Sequence, residues 1–209
     1  MADGLLLYSN PMSRGRIARW MLEELGQPYT VDYLGYGERM KSPEFLAINP
    51  MGKVPTLVHG QAVVTEGAAI CAYLADAFPE AGLKPAPGSP AAADYHRWLF
   101  FAAGPVEAAV TDKALGVTVP DERKAMVGYG SLDAVVDALE RAVDGRRFIA
   151  GDQFSAADVY VGSQIGWGLR FGTIPARPAF AAYWAGLEQR PAHKRASELD
   201  DAAMPPKPE

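Results

Sequence analysis

A stretch rich in proline and glycine, residues 80–90, separates two parts of the chain that carry different hydrophobic patterns. Helix breakers at this density favour a linker over a helix or a strand. Strand and helix patterns alternate before the linker, and only helical patterns of any strength follow it. A chain of 209 residues can bury substantial cores without disulfides or metals, and we predict two domains, at residues 1–79 and 91–209.

The first part has the pattern of a small mixed sheet covered by helices. Apolar runs at residues 5–8 and 29–33 are separated by a segment with helical spacing, which predicts a parallel βαβ unit. Residues 56–65 form two strand patterns around Gly60-Gln61, as in a hairpin with a tight turn. Apolar residues at helical spacing then run from Ala68 to Phe78, which predicts a helix that covers one face of the sheet. The order βαβ then ββα predicts an α/β domain.

The second part reads as helix throughout. Helical patterns run over residues 91–115, 121–143, 155–169 and 177–189. Ser155 and Asp158 have the spacing of a capping box, with Asp in place of the usual Glu. The proline-rich tail after Met204 is expected to be extended. These patterns predict an all-α second domain.

Composition excludes several classes of function. A net charge of -5 and a pI near 5.3 argue against nucleic acid as a partner, and no apolar run is long enough to cross a membrane. Residues 1–5 lack the pattern of a secretion or transit signal, so we expect the mature chain to start there.

The cysteine and histidine residues give no metal-site pattern. Cys71 is the only cysteine, which rules out an internal disulfide framework and indicates a reducing, cytoplasmic setting. His59, His96 and His193 are scattered without ligand spacing, so no metal is expected.

Two strings and the order of elements resemble the cytosolic glutathione transferase family over nearly the whole chain. Residues 48–57, INPMGKVPTL, are similar to the family's N-P-x-G-K-V-P-x-L motif. Residues 65–74, TEGAAICAYL, are similar to its E-S-x-A-I-x-x-Y-L helix start, and the box at Ser155 matches a third landmark. The resemblance is to serine-type members, theta-like, delta-like or bacterial. It implies a thioredoxin-like N-terminal domain that binds glutathione, an all-α C-terminal domain, a homodimer and a role in detoxification.

The resemblance implies a glutathione site at Lys53, Val54 and Pro55 of the first motif and at Glu66 and Gly67 of the second. A cis Val54-Pro55 bond would leave Val54 backbone groups free for the peptide-like middle of glutathione, although a trans proline that merely starts a strand is the simpler interpretation without the family. Glu66 and Gly67, at a helix start, suit the γ-glutamyl head group, and Lys53 the glycyl carboxylate. Gly67 departs from the family, which usually has a Ser or Thr hydroxyl here.

Ser13 is the expected catalytic residue. A thiol is mostly protonated at neutral pH, and a hydroxyl at a helix N-terminus can donate a hydrogen bond to the thiolate. Aligning residues 7–13 with theta-like and delta-like members brings Ser13 onto their serine. Ser9, Tyr8 and Asn10 are weaker candidates, and a plain helix N-cap is the alternative role for Ser13.

Two arginines lie beside the expected catalytic serine, whereas the only thiol is expected outside the site. Alignment with beta-like bacterial members puts their reactive cysteine at Arg14, which disfavours a cysteine mechanism, and Cys71 reads as packed core. We expect Asn10 and Arg14 among the glutathione contacts. The roles of Arg14 and Arg16, at glutathione, a partner subunit or an anionic second substrate, stay open at this point.

The electrophile pocket is expected between the two halves, from aromatic and apolar residues that equally suit a helical core. These are Tyr36, Trp98, Phe101, Val106, Trp167 and Phe171. The predicted activity is conjugation of the glutathione thiolate to small hydrophobic electrophiles. A glutathione-dependent peroxidase or disulfide reductase, and a glutathione-binding module without chemistry, are the alternatives.

Overall fold

The computed structural model describes residues 4–37 and 39–205 and divides the chain into two compact units. One unit is the segment up to Ala81 together with residues from Arg190 onward, and the other is Gly82–Gln189. Residues 1–3 and 206–209, which carry the expected mature start and most of the expected extended tail, lie outside the described residues. Among the described residues, no helix is long and apolar enough to span a membrane.

The first unit is a four-stranded mixed sheet with helices packed on it. Its elements are β1 (Leu5–Ser9), α1 (Gly15–Leu25), β2 (Tyr29–Tyr33), α2 (Pro43–Ile48), β3 (Thr56–His59), β4 (Ala62–Thr65), α3 (Gly67–Ala77) and α9 (Pro191–Ala202). The strand order is β2-β1-β3-β4, with β1 parallel to β2 and antiparallel to β3. The predicted α/β, thioredoxin-like arrangement is confirmed.

The core of this unit lies between the sheet and α1. Alternate residues of β1, Leu5 and Leu7, are buried, as expected for a strand with one covered face. Helix α1 buries Trp20 and Met21 and packs against β1, α3 and α9. Helix α1 ends at Gly26, whose φ of 70° closes the helix in the left-handed conformation that glycine adopts without a steric cost.

The second unit is built from helices alone, and the structure describes all of it. These are α4 (Pro90–Phe101), α5 (Glu107–Leu115), α6 (Leu132–Val143), α7 (Ala156–Phe171) and α8 (Pro178–Glu188). Helix α7 is buried on nearly every side and forms the centre of the unit. It approaches α8 closely because Gly166 lacks a side chain, and a Cβ there would lie 2.7 Å from the Trp184 ring. The all-α second domain is confirmed.

The helix boundaries differ from the sequence pattern where proline and glycine intervene. The helix expected over residues 91–115 is interrupted by a π-helical turn at Ala102–Val106, because Pro105 has no N–H for the regular helical bond. In place of one helix over residues 121–143, the structure has a separate 3-10 turn at Asp121–Met126 and then α6, which starts only at Leu132. The predicted second domain includes residues 191–202, whereas in the structure α9 packs on α1 in the first unit.

Candidate functional site at one end of the sheet

The ladder registers bring three loops to the same end of the sheet. Tyr8 pairs with Thr56, and Thr56 pairs with Thr65. Neighbouring strands lie about 4.8 Å apart. The loop that follows β1, the loop that precedes β3 and the turn that follows β4 therefore leave the sheet side by side. Each of the three contains residues that the sequence predicted for glutathione.

The loop between β1 and α1 is held by the side chain of Asn10. Its Nδ2 donates to the Leu34 carbonyl at 2.8 Å, and its Oδ1 accepts from the Met12 N–H at 2.8 Å. The Leu34 N–H in turn donates to the Ser9 carbonyl at 2.8 Å. Asn10 is buried, so its amide fixes the path of the loop from within.

Ser13 is the accessible hydroxyl of this loop. Its N–H and its Oγ both donate to the Asn10 carbonyl, at 3.0 and 2.7 Å, and its Oγ accepts from the Gly15 N–H at 2.9 Å. Ser13 is half-buried, whereas Ser9 is fully buried and its Oγ has no hydrogen-bond partner among the described residues. Of the two serines, only Ser13 presents its hydroxyl where a ligand can reach it.

The loop before β3 contains the cis peptide bond between Val54 and Pro55. Asn49 shapes this loop from inside: its Nδ2 donates to the Lys53 carbonyl at 2.8 Å and to Thr56 Oγ1 at 2.9 Å. Val54 lies outside the ladders, and its N–H and carbonyl have no hydrogen-bond partner in residues 4–37 and 39–205. Free backbone groups on a fixed loop suit an extended peptide ligand.

A small apolar cluster ties this loop to the end of β1. Val54 and Tyr8 pack against the buried residues Leu34, Met40 and Phe45. The Tyr8 and Phe45 rings lie 5.3 Å apart in a tilted arrangement. The Tyr8 ring is therefore part of the support for the two loops.

The turn after β4 is the N-terminus of α3. Glu66 adopts φ 66°, the only positive φ of a non-glycine residue in the described chain, and precedes Gly67, the first residue of the helix. The first helical bond runs from the Ile70 N–H to the Glu66 carbonyl, so the N–H groups before it have no partner within the helix. Such a conformation costs about 1–3 kcal/mol and is characteristic of ligand sites. The Glu66 side chain is exposed.

Comparisons with known proteins agree with this geometry. The family model described as "Glutathione S-transferase, N-terminal domain" matches residues 7–82, and "Glutathione S-transferase, C-terminal domain" matches residues 108–195. "Glutathione S-transferase A" of Pleuronectes platessa is 31% identical over 83% of this chain and 82% of the relative. This chain belongs to the glutathione S-transferase family. "Glutathione S-transferase 3" of Zea mays is 29% identical over 80% of both chains.

Solved structures show the same relationship. A sphingomonad glutathione S-transferase, solved as a complex with glutathione, superposes with a TM-score of 0.75 at 31% identity and covers 94% of this chain and 98% of its own. A glutathione transferase of Methylococcus capsulatus gives a TM-score of 0.77 at 26% identity, over 95% and 99% of the two chains. The family assignment made from the two sequence motifs is confirmed.

Lysine and arginine side chains lie on or against the loops of the candidate glutathione site. Lys53 is exposed, and Lys41 donates from Nζ to the Met51 and Gly52 carbonyls, both at 2.9 Å. Sequence reasoning missed Lys41. Its contact with the loop before β3 forms only because the chain folds back through α2, and no local pattern shows this. Arg14 is exposed at the start of α1. Arg16 donates to the Pro11 carbonyl at 2.6 Å and pairs with Asp201 of α9, so its guanidinium acts within the first unit.

The predicted electrophile residues differ in exposure. Tyr36 follows β2, is 62% exposed and donates to the Met12 carbonyl at 3.4 Å. Trp98 and Phe101 meet edge to face in α4, with centroids 5.4 Å apart, and Trp98 is buried. Val106 is also buried, whereas Phe171, at the end of α7, is 69% exposed. Trp167 on α7 is half-buried.

The lone thiol lies in the core of the first unit. Cys71 is fully buried on α3, and burial raises the pKa of its thiol to about 12. A neutral, enclosed thiol is a poor nucleophile. Among the described residues, no group of three or more His, Cys, Asp or Glu side chains is placed to hold a metal ion.

Proposed function

We propose that this family member is a glutathione transferase that binds glutathione at the end of the sheet where the three loops meet. The observation that carries the proposal is the register, which sets Ser13, Val54 and Glu66 on neighbouring loops. Each loop is complementary to a different part of the tripeptide, and together they span it.

The three loops suit the polar groups of glutathione in turn. The free backbone groups of Val54, beside Pro55, pair with the cysteinyl backbone in the manner of an added strand. The Glu66 carboxylate pairs with the γ-glutamyl amino group, and the Gly67 N–H at the positive end of α3 takes its carboxylate. Lys53, with Lys41 beside it, faces the glycyl carboxylate. Arg14 and the loop shaped by Asn10 border the sulfur.

Ser13 stabilises the thiolate in this proposal. In the free protein its hydroxyl donates a neutral hydrogen bond to the Asn10 carbonyl, which contributes about 1 kcal/mol. When glutathione binds, the hydroxyl donates to the thiolate instead, and this charge-assisted bond contributes about 1.5–3 kcal/mol. The exchange is favourable, and the N-terminus of α1 adds to it. Each pKa unit by which the thiol falls below its ordinary 8.5 corresponds to about 1.4 kcal/mol. The thiolate then attacks the electrophilic carbon, a C–S bond forms, and the leaving group departs with its electron pair.

Aromatic residues select the electrophile in this proposal. The candidates remain Tyr36, Trp98, Phe101, Trp167 and Phe171. Tyr36 and Phe171 are exposed, so replacing either by alanine leaves the cores intact, whereas Trp98 is buried. Tyr36→Ala and Phe171→Ala are expected to raise the KM for a haloaromatic electrophile about tenfold with the KM for glutathione unchanged. Exposed Phe100, on the same helix as Trp98, supplies the matched control for surface aromatic loss.

We further propose a cytoplasmic homodimer that acts in detoxification, which the family membership and the single buried cysteine support. Light scattering at several protein concentrations tests the dimer. Parallel assays with a haloaromatic, a hydroperoxide and a mixed disulfide separate transferase from peroxidase or reductase activity.

Calorimetry of glutathione binding tests the site itself. Glu66→Gln is expected to weaken binding about fivefold, because it removes the charge that pairs with the amino group. An analogue of glutathione without that amino group should bind wild type and Glu66→Gln equally well. Glu80→Gln, an exposed carboxylate in the turn after α3, is the matched control. Equal loss of affinity for both ligands in Glu66→Gln would contradict the assignment.

A further inference from the structure

The contact between α1 and α9 contains a buried ion pair. Arg19 Nε donates to Asp200 Oδ1 at 2.8 Å, and the two side chains are only 4% and 0% exposed. Asp200 Oδ2 has no hydrogen-bond partner among the described residues. Buried pairs of this kind are often no better for stability than apolar residues of similar size. Their presence calls for a role beyond holding two helices together.

The remaining nitrogens of Arg19 clamp β2 at both ends. Its Nη1 donates to the Tyr29 hydroxyl at 3.1 Å, and its Nη2 donates to the Tyr33 hydroxyl. The guanidinium carbon lies 5.7 and 5.5 Å from the centroids of the two rings. One buried cation of α1 therefore fixes the edge strand of the sheet.

The end of β2 is connected directly to the loop that carries Ser13. Tyr33 pairs with Ser9 in the parallel ladder, and the next residue, Leu34, donates from its N–H to the Ser9 carbonyl at 2.8 Å. The Leu34 carbonyl accepts from Asn10 Nδ2 at 2.8 Å. The Asn10 carbonyl is the acceptor of both the N–H and the Oγ of Ser13.

A second acid on α9 reaches the same loop. Asp201 accepts from Arg16 Nη2 at 2.5 Å, and Arg16 Nε donates to the Pro11 carbonyl at 2.6 Å. Asp201 is 67% exposed, so this connection is the weaker of the two. Two consecutive carboxylates of α9 thus hold two arginines of α1. Arg16 bonds the loop between β1 and α1 directly, whereas Arg19 bonds β2, whose end is hydrogen-bonded to that loop.

We propose that Asp200 and Arg19 are positioning residues for Ser13, through which α9 sets the geometry of the thiolate-stabilising hydroxyl. This inference rests on the proposed function, because it concerns the same hydroxyl and the same sulfur. Hydrogen bonds to a charged sulfur are strong only when well aligned, and small displacements of positioned groups cost large factors in rate. The thiol pKa of bound glutathione measures this coupling directly at the sulfur.

Asp200→Asn is the direct perturbation. Its expected effect is a rise of about one unit in the pKa of the bound glutathione thiol, with a fall of about tenfold in kcat at neutral pH. The dissociation constant for glutathione should change by less than about twofold, because the groups that bind the tripeptide are not touched. Thiolate absorbance against pH and calorimetry measure the two quantities.

The double variant Arg19→Met with Asp200→Leu separates positioning from stability. Apolar replacement of both partners should restore the melting temperature that Asp200→Asn loses, while the thiol pKa stays raised. Glu24→Gln is the matched control, since Glu24 pairs with Arg190 in the same helix contact and, within the described part of the chain, has no hydrogen bond to the loop. It should lower the melting temperature without moving the thiol pKa.

A wild-type thiol pKa in the folded double variant would overturn the inference, whether or not Asp200→Asn folds. A raised thiol pKa in Glu24→Gln would do the same, because any loosening of α9 would then suffice. If wild type itself shows no lowered thiol pKa, the proposed function fails together with the inference. If wild type shows it and the double variant retains it, only the inference fails.

Discussion

The Asp158 side chain accepts hydrogen bonds from three residues of the second unit, and its removal tests how this unit is held together. Its Oδ1 accepts from the Ile149 N–H and the Tyr183 hydroxyl, both at 2.7 Å. Its Oδ2 accepts from the Ser155 N–H at 2.8 Å and the Ser155 Oγ at 3.0 Å. Burial raises the pKa of the Asp158 carboxyl, and these donors oppose the rise because they favour the carboxylate.

The magnitude for Asp158→Ala follows from the donors left behind. The N–H groups of Ile149 and Ser155 become buried without a partner, at a cost of about 1–3 kcal/mol each. The two hydroxyls can turn and recover part of their loss. We therefore expect the free energy of unfolding to fall by about 4 kcal/mol, with a melting temperature lower by about 8–16 °C for a chain of this size.

Urea unfolding followed by circular dichroism measures this change. Asp152→Ala, an exposed carboxylate six positions earlier in the chain, is the matched control and should change stability by less than about 0.5 kcal/mol. Tyr183→Phe, which removes one donor, should cost about 1–2 kcal/mol. If Asp158→Ala were no more destabilising than Asp152→Ala, the assignment of stability to the buried donors would be wrong.

Three further predictions concern residues of the first unit, and the first of them has its control in the second unit. In Gly15→Ala the new Cβ would lie 2.0 Å from Ser9 Oγ, so we expect a loss of about 1–3 kcal/mol in urea unfolding, whereas Gly186→Ala in open space on α8 should stabilise by about 0.5–1 kcal/mol. Gly67→Ser restores a hydroxyl at the start of α3 and should tighten glutathione binding about fivefold by calorimetry; unchanged affinity would refute the carboxylate site there. Cys71 should resist alkylation in the folded protein. Because burial raises the pKa of its thiol to about 12, its contribution to stability is complete below about pH 8.5 and is lost as pH rises toward 12, and Cys71→Ala should lack this decline.

The sequence predicted the fold well where local patterns and tertiary contacts agree. The strands around Gly60-Gln61 and the helix after Glu66 follow from alternation, turn residues and helical spacing. Helix α9 was missed because its apolar content is low and its packing partner α1 is distant in sequence. Helix α2 was missed because its 6 residues are too few to show a helical period. Arg190 before Pro191 does carry a helix-start signal, with proline at the first helical position. The π-helical turn also needed tertiary context, although Pro105 marks the place.

The candidate site was predictable only where a motif fixes the backbone. Val54-Pro55 and Glu66-Gly67 lie in strings whose spacing carries their geometry, and the cis bond and the positive φ are present there. The sequence does not predict which side chain of the loop is accessible to a ligand, because a local pattern does not determine burial. The structure buries Ser9 and Asn10 and leaves Ser13 half-buried. The connection from Asp200 to the loop depends on residues far apart in sequence, so it requires the structure.

The most direct test of the central claim is the thiol pKa of bound glutathione in wild type, Ser13→Ala and Ser9→Ala, read from thiolate absorbance against pH. The account predicts a pKa about one unit or more below 8.5 in wild type and Ser9→Ala, and a return toward 8.5 in Ser13→Ala with glutathione still bound. An equally low thiol pKa in Ser13→Ala, or an unshifted thiol in wild type, would contradict it.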